Sequence, residues 1–306
     1  MNGVALLEKY GYLAKELAKL NLGNDTIDAF NVFQEANPAC RRIVYQIIEE
    51  NILAGSCLGG TEHFVDFFSQ VKCGKRGLIL MEHDSTVDLP LLCYLLDRDL
   101  SSVESQLSDR IAAVAGMKLN EESPVIKAWA EGFSRIVIYP SRSLAAISDP
   151  ELLERETARS RSINTAAMRA LDTARKQGRV VLVHPSGTRY RPGKPETRRA
   201  VREIDSYLRM FDIMILVSVN GCIVRITPED PDNMLADRVV ADKILVASSP
   251  VMECDSYRKS VMGRPAGSDV DTKQAVADRL MELLLEQHDT YEAIRCPSGH
   301  IGKAAP

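Results

Sequence analysis

The sequence predicts an α/β fold: a mixed, largely parallel sheet flanked by helices and preceded by a small N-terminal helical bundle. Three observations carry this. After Gly74, short apolar runs alternate with longer amphipathic stretches, the rhythm of strand and helix in turn. Up to residue 72 only helical spacing is found. Two polar turns then follow apolar runs, at Met81-Glu82-His83 and Val183-His184-Pro185, where α/β sheets place their ligands. The expected domains are a bundle over 1–72 and an α/β domain over 73–306.

Leu6, Leu7, Tyr10, Leu13, Leu17 and Leu20 define the first helix. Asn24-Asp25 predicts an N-cap for a second, holding Ile27, Phe30 and Phe33. Asn37-Pro38 opens a third, and Gly59-Gly60-Thr61 leads into a fourth from Phe64 to Val71. Four short helices joined by short breaks predict a bundle. Strands follow at Gly77–Met81, Arg110–Ala115, Ile136–Tyr139, Arg179–His184, Ile213–Val219 and Val239–Val246. Between and after them come helices at Thr86–Asp97, Pro124–Gly132, Pro150–Lys176, Arg198–Met210 and Thr272–Tyr291. Gly178 is a helix stop.

Bulk composition narrows the function. With 306 residues, 45% hydrophobic and 26% charged, the chain can bury a core. A net charge of −4 gives no global signal for nucleic acid, so any basic site is local. Seven scattered cysteines form no C-x-x-C pair or zinc spacing, which predicts free buried thiols in a reducing compartment and no metal. No apolar stretch approaches the roughly 18–20 residues that span a bilayer. The first residues lack a basic n-region and carry Glu8, so neither a signal nor a transit peptide is expected, and the expected location is cytoplasmic.

The chemistry sits in two segments. His83 ends an apolar run and Asp88 follows five residues later. On one continuous helix that offset separates the side chains by about 140°. The pair therefore works only if His83 lies outside the helix. Ser85 or Thr86 as N-cap and Pro90 in the first turn predict this. Asp88 then orients one imidazole nitrogen and the other takes a proton, a general base. The plain alternative is a capped turn with an incidental histidine. In the second segment, Pro185-Ser186-Gly187-Thr188-Arg189-Tyr190-Arg191-Pro192, Gly187 permits a tight turn and Arg189 and Arg191 suit an anion. The alternative there is ordinary surface. His184 reads as a strand-end histidine with a structural partner. A third strand ends at Ser141-Arg142-Ser143.

The order of these blocks resembles the glycerolipid acyltransferase family: H-x4-D, a strand with a basic residue after it, a P-x-G-T-R-like loop and a hydrophobic block. The resemblance covers roughly residues 76–221 and is nearest the soluble glycerol-3-phosphate acyltransferases of the plastid type, through Ser186 and Arg189-Tyr190-Arg191-Pro192, with Asn164-Thr165 also similar. Glu82 departs from the Asn frequent in the family, and Ser143 from a basic residue. The resemblance implies that His83 deprotonates the sn-1 hydroxyl of glycerol 3-phosphate, with Asp88 as its orienter. Arg142, Arg189 and Arg191 would hold the phosphate, and Ser143, Ser186, Gly187 and Thr188 would support the site. Amides of the Ser85–Val87 turn would face the oxyanion. The donor would be acyl-ACP or acyl-CoA, and no cofactor would be needed.

From Arg189 to Arg209 the chain carries seven basic and three acidic residues. Lys194, Arg198, Arg199 and Arg202 could dock an acyl carrier protein or the phosphates of CoA, or form a solvated helix face. The first competing function is a 1-acylglycerol-3-phosphate acyltransferase. A second, of another class, is a non-catalytic phosphate- or lipid-binding module. No G-x-S-x-G elbow, P-loop or G-x-G-x-x-G is present. Membrane contact is expected to be peripheral at most.

Overall fold

The computed structural model describes residues 3–22, 26–121, 123–231, 233–263 and 271–297, the side chain of Glu121 excepted. The expected cap at Asn24-Asp25 lies outside them. In chain order the first elements are β1 (Val4–Ala5), α1 (Leu6–Leu20), β2 (Phe33–Gln34), α2 (Pro38–Glu49), β3 (Cys57–Gly59), α3 (Thr61–Lys72), β4 (Gly77–Met81) and α4 (Asp88–Asp99). Then come β5 (Ile111–Gly116), α5 (Lys118–Glu121), α6 (Pro124–Glu131), β6 (Arg135–Ile138), α7 (Ser141–Ala145), α8 (Pro150–Lys176) and β7 (Val180–Val183). The rest are α9 (Ile204–Leu208), β8 (Ile213–Asn220), β9 (Val224–Arg225), β10 (Arg238–Val239), β11 (Leu245–Ser248), β12 (Met252–Glu253), α10 (Cys254–Met262) and α11 (Thr272–Arg295).

The chain folds as two units, both α/β, with a mixed and largely parallel sheet flanked by helices. One unit comprises Met1–Lys9, Ile48–Ser108 and Leu182–Pro306; the other comprises Tyr10–Ile47 and Asp109–Val181. This differs from the expected boundary at residue 72. Most of α1 and α2 belong to the second unit, and α3 to the first. Residues 1–72 are therefore divided between the units rather than forming a bundle of their own.

In the first unit the strand order is β4-β8-β11-β3. β4 is parallel to β8, β11 is antiparallel to β8 and parallel to β3, and β12 adds antiparallel to β8. Every residue of β4 and of β8 is buried, which is why both read as unbroken apolar runs rather than alternating ones. A separate three-stranded sheet has the order β1-β10-β9. The expected strand Val239–Val246 is thus two strands in two sheets. Asp242 breaks it: its carboxylate accepts from the amides of Cys222 at 3.0 Å and Lys243 at 2.8 Å.

In the second unit the order is β2-β6-β5-β7, with β2 antiparallel and β5 parallel to β6. Ile27, Val32, Met117, Val137, Tyr139 and Ile163 form its core. The expected helix through Ile27, Phe30 and Phe33 is a turn followed by β2. Asp28 explains it, because its carboxylate accepts from Phe30 N–H at 2.7 Å while its own N–H donates to Asn31 Oδ1 at 2.8 Å. Such local bonds compete with helix. α8 matches its expected span. Asp149 caps it by accepting from the amides of Glu151 and Leu152, Pro150 opens it, and Gly178 follows at φ 75°. Asn164, from the middle of α8, clasps the end of β6 with both side-chain atoms on the Tyr139 backbone, at 2.9 and 3.0 Å.

Candidate active site

The first unit holds the H-x4-D pair. β4 delivers His83 just beyond its carboxyl end, and the chain turns before α4 begins at Asp88. The expected N-cap is corrected. Val87 occupies the cap position with no side-chain cap bond, and the Ser85 hydroxyl donates instead to the Val224 carbonyl at 2.7 Å. Asp88 folds back over the turn. Its Oδ2 accepts from the amides of Asp84 at 2.7 Å and Ser85 at 2.8 Å, and lies 3.1 Å from His83 Nδ1. The two side chains meet because the histidine is outside the helix and the aspartate is its first residue. Ser85 N–H is thus bound to Asp88, and Val87 N–H to the Ser85 hydroxyl at 3.4 Å. These amides hold the turn rather than an oxyanion.

Asp88 is almost fully buried, at 1% exposed. Burial pushes its carboxyl up to about 7, against the pull of the two amide bonds. The His83 side chain is 24% exposed. Backbone bonds fix the strap that carries it: Glu82 N–H donates to Val217 O at 3.0 Å and Tyr190 N–H to His83 O at 2.7 Å.

His184 has the structural partner expected of it. Its Nδ1 lies 3.0 Å from the Met81 carbonyl and 2.9 Å from that of Glu82. Two acceptors require the proton on Nδ1. Its ring stacks on that of His83, with centroids 4.0 Å apart and planes 15° from parallel. Burial, together with the neighbouring His83, drives His184 down to about 3, so it is a neutral platform.

Glu82, which departs from the family pattern, has a role that no local spacing shows. Its buried Oε2 accepts from Val219 N–H at 2.9 Å and lies 2.8 Å from Nδ1 of His288 on α11. Burial raises the Glu82 carboxyl despite this bond. His288 loses basicity through burial, but Glu82 more than restores it, and its net shift is upward.

The P-S-G-T-R loop forms the expected turn, with Gly187 at φ 61° and the Ser186 hydroxyl donating to Thr188 O at 2.7 Å. Its arginines divide. Arg189 is 8% exposed, and its Nη1 donates at 2.7 Å to Asp237, which is 0% exposed. Its first role is to pin the loop, and an anion would have to share it. Arg191 Nη1 donates to the Thr188 hydroxyl at 3.2 Å. Arg142 and Ser143 stand on α7 in the second unit, Arg142 exposed.

A recess of about 10 Å³, room for one water molecule, is lined by Glu82, His83, Asp84, Ser186, Tyr190 and Arg198, with Met281 and Leu285 of α11 among its other walls. The sequence places Arg198 in a cationic face. That face is largely paired with acids: Arg198 with Asp84 at 3.3 Å, Arg199 with Asp278 at 3.7 Å and Arg202 with Asp271 at 3.2 Å. The local charge count missed acids that folding brings from far along the chain.

Among the described residues no cluster of His, Cys, Asp or Glu could hold a metal ion, and no helix is long and apolar enough to cross a membrane. All seven cysteines are free thiols, but only Cys40, Cys93 and Cys254 are buried; Cys57, Cys73 and Cys296 are exposed, contrary to expectation. No family model matches the chain, and no curated protein matches it in sequence.

Proposed function

We propose that this protein is a glycerol-3-phosphate 1-O-acyltransferase, moving a fatty acyl group from acyl-ACP or acyl-CoA to the sn-1 hydroxyl. The observation that carries the reading is the bond from His83 Nδ1 to buried Asp88, 3.1 Å, with the imidazole partly exposed at a strand end. Asp88 fixes the tautomer, which leaves Nε2 as the nitrogen turned toward chemistry. Nε2 takes the hydroxyl proton as the oxygen attacks the thioester carbonyl. The tetrahedral intermediate collapses, the C–S bond breaks, and the thiolate leaves with the proton from His83. Asp88 stabilises the imidazolium between these steps, and neutral His184 supports the ring without adding a competing charge. Arg191, beside the Gly187 turn, serves the acceptor phosphate in this reading. The protein acts in the cytoplasm and touches membranes only at their surface, where its amphiphilic product partitions.

Thiol release from acyl-ACP and acyl-CoA, with glycerol 3-phosphate or 1-acylglycerol 3-phosphate as acceptor, tests the reading. Release with glycerol 3-phosphate is expected. Release only with the lipid acceptor would move the protein to the second step of the same chemistry, and none with either would overturn transferase activity.

A further inference from the structure

We propose that Arg198 joins Arg191 in holding the acceptor phosphate, as the anion ligand at the His83 recess itself, latched to Asp84 until the phosphate of a phosphomonoester replaces that carboxylate. This rests on the reading that the acceptor is phosphorylated. Arg198 supplies the one guanidinium among the described residues lining the recess. One face of it is braced, because its Cζ stands 4.0 Å from the Tyr190 ring centroid. Tyr190 in turn gives its amide to the carbonyl of His83, so the guanidinium is registered to the base through one residue.

The latch is loose. Arg198 Nη2 to Asp84 Oδ2 is 3.3 Å, against about 2.7–2.9 Å for a good charge-assisted bond, and the Arg198 side chain is 39% exposed. Arg189, by contrast, is buried on Asp237. With the latch closed, the recess has room for one water molecule and no substrate. Turning Arg198 from Asp84 to an incoming phosphate both opens the space and supplies the counter-charge. Glu82 is bound to His288 and Val219, so Asp84 is the acid that the anion displaces. Burial and the nearby Asp88 raise the Asp84 carboxyl, which favours proton uptake once Arg198 has left.

The test is equilibrium binding of glycerol 3-phosphate, and of inorganic phosphate as a minimal probe, to the full chain and to Arg198→Gln, Arg198→Lys and Asp84→Asn, each checked for folding by circular dichroism. Loss of a charge-assisted contact predicts at least about tenfold weaker binding in Arg198→Gln, a smaller loss in Arg198→Lys and tighter binding in Asp84→Asn. Wild-type affinity in both Arg198 variants, no binding by the wild type, or weakened binding in Asp84→Asn would overturn the proposal. Arg198-dependent binding without acyl transfer would uphold it while removing the transferase reading; transfer with unchanged KM in Arg198→Gln would do the reverse.

Discussion

His184 lies flat against His83, their ring centroids 4.0 Å apart, and directs Nδ1 at the carbonyls of Met81 and Glu82. One histidine thus braces both the ring and the backbone of the other. The brace is kept neutral by its burial and by the neighbouring His83.

That neutrality has a pH signature. His184 titrates near 3 when folded against an ordinary 6.5. The unfolded chain binds the extra proton first, so this stability is present above pH 6.5 and is lost as the pH falls toward 3. His184→Phe keeps a stacked ring but cannot be protonated. It should flatten the acid limb of the stability curve in that window and cost about 1–3 kcal/mol at neutral pH, where two carbonyls lose a donor. Urea unfolding at several pH values checks this; an unchanged acid slope would assign the limb to other groups.

Asp88 titrates in the opposite sense. Its carboxyl rises from 3.8 to about 7 on folding, so its contribution is full below pH 3.8 and lost as the pH rises through 7. Asp88→Asn keeps an oxygen at the Oδ2 position for the amides of Asp84 and Ser85 and for His83 Nδ1, but removes the carboxylate charge that stabilises the imidazolium. The expected outcome is a melting temperature above wild type at pH 8, together with a fall in turnover of about 10⁴-fold. Thermal melts and initial rates on the same preparation decide it.

Arg189 should act on stability before it acts on binding. Breaking a buried ion pair leaves the partner's charge uncompensated, at a cost of about 3–5 kcal/mol. Arg189→Met is expected to fall in that range, and adding Asp237→Leu to recover most of the loss. Denaturant midpoints of the single and double variants measure the coupling. Equal losses in both would show that the uncompensated charge of Asp237 is not what the single variant loses.

His288 anchors Glu82 across 206 residues of chain. Its basicity is raised on folding, so its contribution is present below its unfolded value of 6.5 and fades as the pH rises through its folded value. His288→Ala should destabilise the protein by about 2–4 kcal/mol at pH 6, more than at pH 9. Glu82→Gln, which removes the buried charge, should be milder. Calorimetry at the two pH values separates these outcomes.

The sequence made some of this legible. Gly77–Met81 and Pro150–Lys176 have the spans their patterns predict, because a buried strand is uniformly apolar and the long helix carries its own cap and stop. The fold-back of Asp88 onto His83 was expected from their offset together with the helix-start signals at Ser85, Thr86 and Pro90, although Val87 is the cap. Three things were not legible. Asp28 and Asn31 form side-chain bonds that override an apolar helical spacing. Asp242 splits a strand through contacts with distant amides. The acids opposite Arg189, Arg198 and His288 lie 48, 114 and 206 residues away, and no local window contains them. Segment-level charge therefore overstated the cationic face, and Glu82 read only as a departure from a pattern.

In the proposed reaction His83 is the base of an acyl transfer. The most direct test of this role is the rate of thiol release from acyl-ACP and acyl-CoA in the presence of glycerol 3-phosphate, for wild type and for folded His83→Ala. Acceptor-dependent release is expected, falling by about 10²–10⁴-fold in the variant. Equal rates in the two proteins would contradict it.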